Sequence, residues 1–150
     1  MRVYLVIIDE TDEARVALRF ASRRAAKTGG AIHILAMVPE QDFVAFGGVQ
    51  ATMAEEARDR AEMLATSAAG ALLGETGKMP PIAVREGEGV KVIREYLEEH
   101  EEVAALVLGS APEGNPGPLV EHFAHASGNL PCPLFIIPGG MSDEDIDRLS

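Results

Sequence analysis

Polar residues and glycines follow two of the apolar runs of this chain, where they could contact a ligand. Asp9 comes directly after the run Val3–Ile8, and Gly109 and Ser110 follow the run Val103–Leu108. A carboxylate at a strand end can accept a hydrogen bond from a ligand or cap the next helix, and both roles remain open for Asp9. Gly109 and Ser110 could line a ligand cleft, or the glycine could serve a turn of the backbone.

The stretch after Ser110 is rich in glycine and proline, and its chemistry points in two directions. Gly114 and Gly117 would let a phosphate approach backbone N–H groups closely, because glycine has no Cβ. Proline supplies no N–H, and a carboxylate repels a polyphosphate, so other residues of the stretch weaken such a site. These residues are Pro112, Pro116, Pro118, Glu113 and Glu121. Since no Lys or Arg occurs between Arg94 and Arg148 to offset them, we expect phosphate to be held weakly or not at all.

The histidines and the single cysteine do not form a recognisable metal or catalytic motif. His122 and His125 are three residues apart beside Glu121, whereas the usual zinc helix spaces its histidines four apart. We therefore predict no metal site and no catalytic residues. His33 and His100 are expected to be structural, and Cys132, between two prolines, is expected to be a packed small residue.

Composition limits the function classes. The 150 residues carry a net charge of −11 and are 47% hydrophobic and 25% charged, which suits one globular domain with a single core. An acidic chain is a poor partner for nucleic acid or an anionic membrane surface. No apolar run approaches about 20 residues, and one cysteine allows no internal disulfide. We expect a cytoplasmic protein without nucleic-acid or membrane partners.

Apolar runs alternate with helical patterns along the chain, which indicates a parallel sheet with helices on both faces. The sequence alone does not order the strands. The predicted strands are Val3–Ile8, Ala31–Val38, Ile82–Arg85, Val103–Leu108 and Leu134–Pro138. The predicted helices start near Thr11 or Asp12 and end at Gly29, then span Val49–Leu73, Val90–His100 and Leu119–Asn129. A loop over Pro39–Gly48, with Phe43 and Phe46 as anchors, and an acidic tail with at most one helical turn complete the prediction.

Taken together, the marks of the sequence resemble those of the universal stress protein family over Arg2 to Pro138. The marks are the first strand ending in Asp9, Gly30-Ala31 opening the second strand, Val84-x-x-Gly87, Leu106-Val-Leu-Gly109-Ser110 and Pro131-Cys132-Pro133. The resemblance implies a five-stranded, doubly wound α/β sheet of order 3-2-1-4-5 and a cleft between the first and fourth strands. It also implies a family domain over residues 1–139, followed by an acidic tail over 140–150.

The same resemblance separates family members that bind ATP from members that do not. Binders have a phosphate loop Gly-x2-Gly-x9-Gly followed by Ser or Thr. This chain keeps Gly109-Ser110, but Pro112 stands at the second glycine, and the final pair aligns near Val120-Glu121. Asp9 and Val38 match positions that contact adenine and ribose in binders. The nucleotide-binding candidates are therefore Asp9, Val38, Gly109, Ser110, Gly114 and Gly117.

These observations lead to one expected function and two alternatives. We expect a non-enzymatic module in stress response, with no cofactor, that acts mainly through protein contacts. The resemblance implies a homodimer paired through its last strand, Leu134–Pro138, whose apolar edge would be hazardous if left unpaired. The first alternative is a switch that binds ATP or AMP between the first and fourth strands. The second, a weak nucleotide hydrolase, would need a cation near the loop to stabilise phosphate charge.

Overall fold

The computed structural model describes residues 1–38 and 47–150, with the side chains described up to 38 and from 52 onward. Its five strands are all parallel and lie in the order β3-β2-β1-β4-β5. This confirms the predicted fold class and strand order. The strands are β1 (Val3–Ile8), β2 (Ala31–Val38), β3 (Ile82–Glu86), β4 (Val103–Ser110) and β5 (Leu134–Pro138). The helices are α1 (Asp12–Thr28), α2 (Gly47–Thr76), α3 (Gly89–Glu99), α4 (Pro118–His125) and α5 (Asp143–Leu149), and a 3-10 turn spans Ser127–Asn129.

The central strands are buried because helices cover both faces of the sheet. All six residues of β1 are buried, as a continuous β-branched and aliphatic run predicts. On one face the core includes the alanine stripes of α1 and α2, and small side chains let these helices lie close to the sheet. On the other face Phe123 of α4 and Ile93 of α3 are fully buried. The carboxyl ends of β1 and β4 therefore lie side by side between the two helical layers.

Several predicted boundaries differ from the structure, and those of α2, β4 and α4 differ most. Helix α2 begins at Gly47 and continues to Thr76, so the predicted loop and turn around it were too long. Strand β4 continues through Gly109 and Ser110, because both residues pair with β5. The fourth helix ends at His125, and a separate 3-10 turn follows. The loop residues 39–46, with the proposed anchors Phe43 and Phe46, lie outside the described residues.

The expectation of at most one helical turn in the acidic tail was wrong. Helix α5 packs against α1, and its Ile146 is fully buried. The guanidinium of Arg19 donates to both carboxylate oxygens of Asp147 at 3.2 and 3.0 Å. The Lys27 ammonium donates to the backbone oxygens of Asp147 and Ser150 at 2.7 and 3.0 Å. Basic residues on the outer face of α1 thus hold an acidic helix that hydropathy alone does not reveal.

Candidate functional site at the carboxyl ends of β1 and β4

Asp9 caps the next helix through a relay of hydrogen bonds. Its Oδ1 accepts from the backbone N–H of Thr11 at 2.9 Å and from the Thr11 hydroxyl. The Thr11 oxygen accepts in turn from the N–H of Ala14 at 3.2 Å, which makes Thr11 the N-cap of α1. The structural role of Asp9 is therefore present. Among residues 1–38 and 52–150, no hydrogen bond to its Oδ2 atom is present.

Two cavities lie on either side of Asp9 and Thr11, which line both. The α4 cavity, of about 120 Å³, opens between β1, β4 and the start of α4. The α2 cavity, of about 300 Å³, opens between β1, β2 and α2. Their further lining residues include Gly109, Gly117 and Val120 for the first and Met37, Ala57, Arg60 and Leu64 for the second. A cleft beside the first and fourth strands is thus present, but neither part is large.

Gly109 is required by packing. A Cβ added there would overlap the backbone carbonyl of Glu13 in the first turn of α1. The next residue, Ser110, accepts a hydrogen bond from the Gly139 N–H through its carbonyl at 2.7 Å. A Cβ at Gly139 would lie 2.5 Å from that same oxygen. The Gly109-Ser110 pair therefore has a structural reason that is independent of any ligand.

Two of the five backbone N–H groups in the glycine-proline loop, residues 111–117, are bonded within the loop. The Ala111 N–H donates to the Pro116 carbonyl at 3.1 Å. The Gly117 N–H donates to Asn115 Oδ1 at 2.8 Å, and Asn115 Nδ2 donates to Glu121 at 2.9 Å. Glu121 lies in the first turn of α4, where a carboxylate is favoured by the helix dipole. The first turn of α4 thus carries the Glu121 carboxylate at the helix end that would otherwise attract an anion.

The remaining predicted binding residues are not gathered at one place. Gly114 and Gly117 both have positive φ, 70° and 112°, with no atom near an added Cβ, so each serves a turn; only Gly117 lines a cavity. Val38 is buried in the core, and its carbonyl accepts from the Gly87 N–H at 3.3 Å. The neighbouring Met37 lines the α2 cavity instead. Whether any of the predicted residues binds a nucleotide stays a prediction.

Sequence reasoning missed Arg60, a cation that α2 brings to the cleft. Arg60 lines the α2 cavity and lies 3.5 Å from the Glu10 carboxylate. In the sequence, Arg60 directly precedes Ala61, one of the buried alanines that are spaced four apart along α2. That position is the signal that could have identified Arg60. An α-helix that buries such a stripe brings the adjoining positions to the border of the sheet.

The histidines lie on the side of the sheet that α3 and α4 cover. His33 of β2 contacts the Tyr96 hydroxyl through Nδ1 at 2.8 Å, and Tyr96 stacks on His100 at 3.8 Å between ring centroids. Burial lowers the pKa of His33 below its ordinary value. His122 packs its ring edge-on to Phe123. Among the described residues, no group of three or more His, Cys, Asp or Glu side chains is placed to hold a metal ion.

Burial raises the pKa of the Cys132 thiol, which makes it less reactive at neutral pH.

A match to a protein-family model identifies the family of this chain. Residues 1–138 match the model of the universal stress protein family. The chain belongs to the universal stress protein family. The comparison with curated proteins gave no significant match. Within the described residues, no helix of this universal stress protein is both long and apolar enough to cross a membrane.

Solved structures of family members share the fold at low sequence identity. The UspA protein of Lactobacillus plantarum is 18% identical, with a TM-score of 0.74 over 91% of this chain and 97% of that one. A universal stress protein of Archaeoglobus fulgidus in complex with dAMP is 15% identical, with a TM-score of 0.58 over 91% and 97% of the two chains. A family protein of Arabidopsis thaliana with AMP bound is 14% identical, with a TM-score of 0.62 over 96% and 95%.

Proposed function

We propose that this universal stress protein is a non-enzymatic, dimeric binding or regulatory module of the cytoplasm that acts mainly through protein contacts and binds ATP weakly or not at all. The observation that carries this proposal is the Glu121 carboxylate in the first turn of α4, which Asn115 of the loop between β4 and α4 holds in place. A triphosphate would have to displace Asn115 from Gly117 and approach the Glu121 carboxylate. Repulsion between the phosphate and this exposed carboxylate would cost on the order of 1 kcal/mol.

An alternative is a nucleotide-responsive switch that binds AMP or ATP in the cleft. Asp9 supports it, because it lines both cavities and its hydrogen bonds to Thr11 use only Oδ1. Similar structures have been solved with AMP and with dAMP. Arg60 lines the α2 cavity, where its guanidinium would pair with a single phosphate.

Calorimetric titration of the nucleotide-stripped protein with Mg-ATP and with AMP separates the two functions. No heat at millimolar ligand and an unchanged melting temperature are expected for the protein-contact role. Saturable micromolar ATP binding would refute it, and binding of AMP alone would favour the switch. The double variant Pro112→Gly/Glu121→Ser should gain ATP affinity if the loop is at fault, whereas Glu98→Ser, an exposed change on α3, should not.

The proposed dimer rests on the edge strand β5, which pairs with β4 along one side only. Ile136 of β5 is 40% exposed, and Ile82 of the opposite edge strand β3 is 41% exposed. Analytical ultracentrifugation of Ile136→Lys and Ile82→Lys therefore compares matched changes on the two edges. We expect a dimer that Ile136→Lys alone dissociates. A monomeric parent protein, or dissociation by Ile82→Lys only, would contradict the assignment of the interface.

A further inference from the structure

A third cavity lies at the opposite, amino end of the sheet. It measures about 350 Å³, which is in the range of pockets for small organic ligands. Its walls come from the last turns of α1 and α2, the start of β2 and the segment before β3. The apolar part of the wall includes Ala25, Ala26, Ile32, Leu72, Met79 and Pro81. The cavity is larger than either of those beside Asp9, and it shares no lining residue with them.

One carboxylate is held at this cavity by a buried hydroxyl group. Ser22 is only 4% exposed, and its hydroxyl donates to Glu75 Oε2 at 3.1 Å. Both residues line the cavity. The bond draws the Glu75 side chain from α2 toward α1, where its negative charge borders the apolar walls.

The helix ends add negative potential at the same place. Helix α1 ends at Thr28 and α2 ends at Thr76, and both Gly29 and Thr76 line the cavity. The carbonyl ends of two helices give a partial negative charge that favours a cation. Among the described lining residues, Lys78 is the opposing cation; it is exposed and follows the end of α2 on a flexible side chain. Arg19 of α1 also acts on the charge of Glu75, from a neighbouring cavity that Ser22 and Glu75 line as well.

From this charge complementarity we infer that the cavity binds an amphipathic amine. The apolar part of the ligand lies against the small side chains of α1 and against Leu72 and Met79. Its protonated amine pairs with Glu75, beside the carbonyl ends of α1 and α2. The inference is independent of the proposed function, because the two sites lie at opposite ends of the sheet and share no lining residue.

The test uses tryptamine as the amine probe and indolepropionate, which has a carboxylate on the same ring system, as its counterpart. Titration of the full chain followed by heteronuclear NMR should show saturable tryptamine binding in the millimolar range or tighter, with shifts at the amides of Gly29, Gly30 and Lys78. Indolepropionate should bind more weakly. Equal binding of both probes, no binding of tryptamine, or shifts centred on Asp9 and Gly117 would overturn the inference.

Two charge variants move the affinity in opposite directions. Glu75→Gln should weaken tryptamine about fivefold, as expected for the loss of one exposed ion pair, and it leaves an oxygen that can accept from Ser22. Lys78→Gln should strengthen tryptamine by a smaller factor, because it removes the competing cation. Glu62→Gln, on an exposed part of α2, is the matched control and should change nothing. Unaltered affinity in Glu75→Gln would refute the role of the carboxylate even if tryptamine binds.

Discussion

The carboxyl end and the amino end of the same sheet differ in how their open space is divided. At the carboxyl end, Asp9 is bonded to Thr11, and Gly117 is bonded to Asn115. At the amino end, α1 and α2 end beside one cavity of about 350 Å³. The two cavities at the carboxyl end measure about 120 and 300 Å³. The topology places a crevice at the carboxyl ends of the strands, but the local side chains decide how much of it remains open.

Gly109→Ala should give the largest effect, because close packing at the carboxyl end depends on this position. The added Cβ would overlap the Glu13 carbonyl of α1, and overpacking of this kind costs about 3 kcal/mol in the free energy of unfolding. Urea unfolding measures the loss. Gly70→Ala is the control: it lies inside α2 with open space around it, and we expect a gain of about 0.5 kcal/mol. If Gly109→Ala unfolds like the parent protein, the two ends are not packed differently.

Thr11→Ala tests whether the polar relay at the carboxyl end supports the fold. The N-cap hydrogen bond to Ala14 would be lost, and Asp9 would lose a hydroxyl donor. We expect a loss of about 1 kcal/mol in the free energy of unfolding, measured by thermal or urea denaturation. Thr11→Ser keeps the hydroxyl and should retain most of the stability. Equal losses in both variants would show that the hydroxyl is not what matters at this position.

His33 lies near the amino end of β2, and its pH response offers a test there. Burial lowers its pKa below the ordinary 6.5, and the charge on His100 acts in the same direction while Glu102 opposes it. The unfolded chain therefore binds the proton first, so its contribution to stability is complete above about pH 6.5 and falls as the pH drops toward the lower folded pKa.

The measurement is the melting temperature between pH 7.5 and 5. His33→Gln should flatten the decline below about pH 6.5, although it also alters the contact with Tyr96. The slope is therefore compared, not the absolute stability. His125→Gln, at an exposed position on α4, serves as the control and should keep the slope of the parent protein. An unchanged slope in His33→Gln would contradict this account.

Asp147→Asn should have the smallest effect, since it changes an exposed ion pair on the outer face of α1. Arg19 holds the pKa of Asp147 below its ordinary value, so this contribution is complete above about pH 3.8 and is lost as the pH falls through the folded pKa. We expect a slight fall in melting temperature at neutral pH that disappears in molar salt. A loss that persists in molar salt would indicate a packing defect in α5 instead of a lost charge interaction.

The strands could be predicted from the sequence because continuous apolar runs need burial on both faces. Two of the ten predicted strand limits moved, the ends of β3 and β4, and pairing with the neighbouring strand decided both, as for Gly109 and Ser110 beside β5. The strand order came from the family resemblance, since crossover lengths do not fix it. Two site features escaped prediction because they depend on contacts across the chain: Arg60 beside Glu10 and Asn115 between Gly117 and Glu121.

The match to the family model ends at residue 138, yet α5 beyond it buries Ile146 and pairs with the basic outer face of α1. A chain cut after Pro138 would therefore keep every strand of the family fold and lose the cover over that part of α1. It would expose apolar surface next to unpaired arginines, which favours aggregation and proteolysis over clean folding. The boundary of the shared family segment and the boundary of the cooperative folding unit fall at different residues.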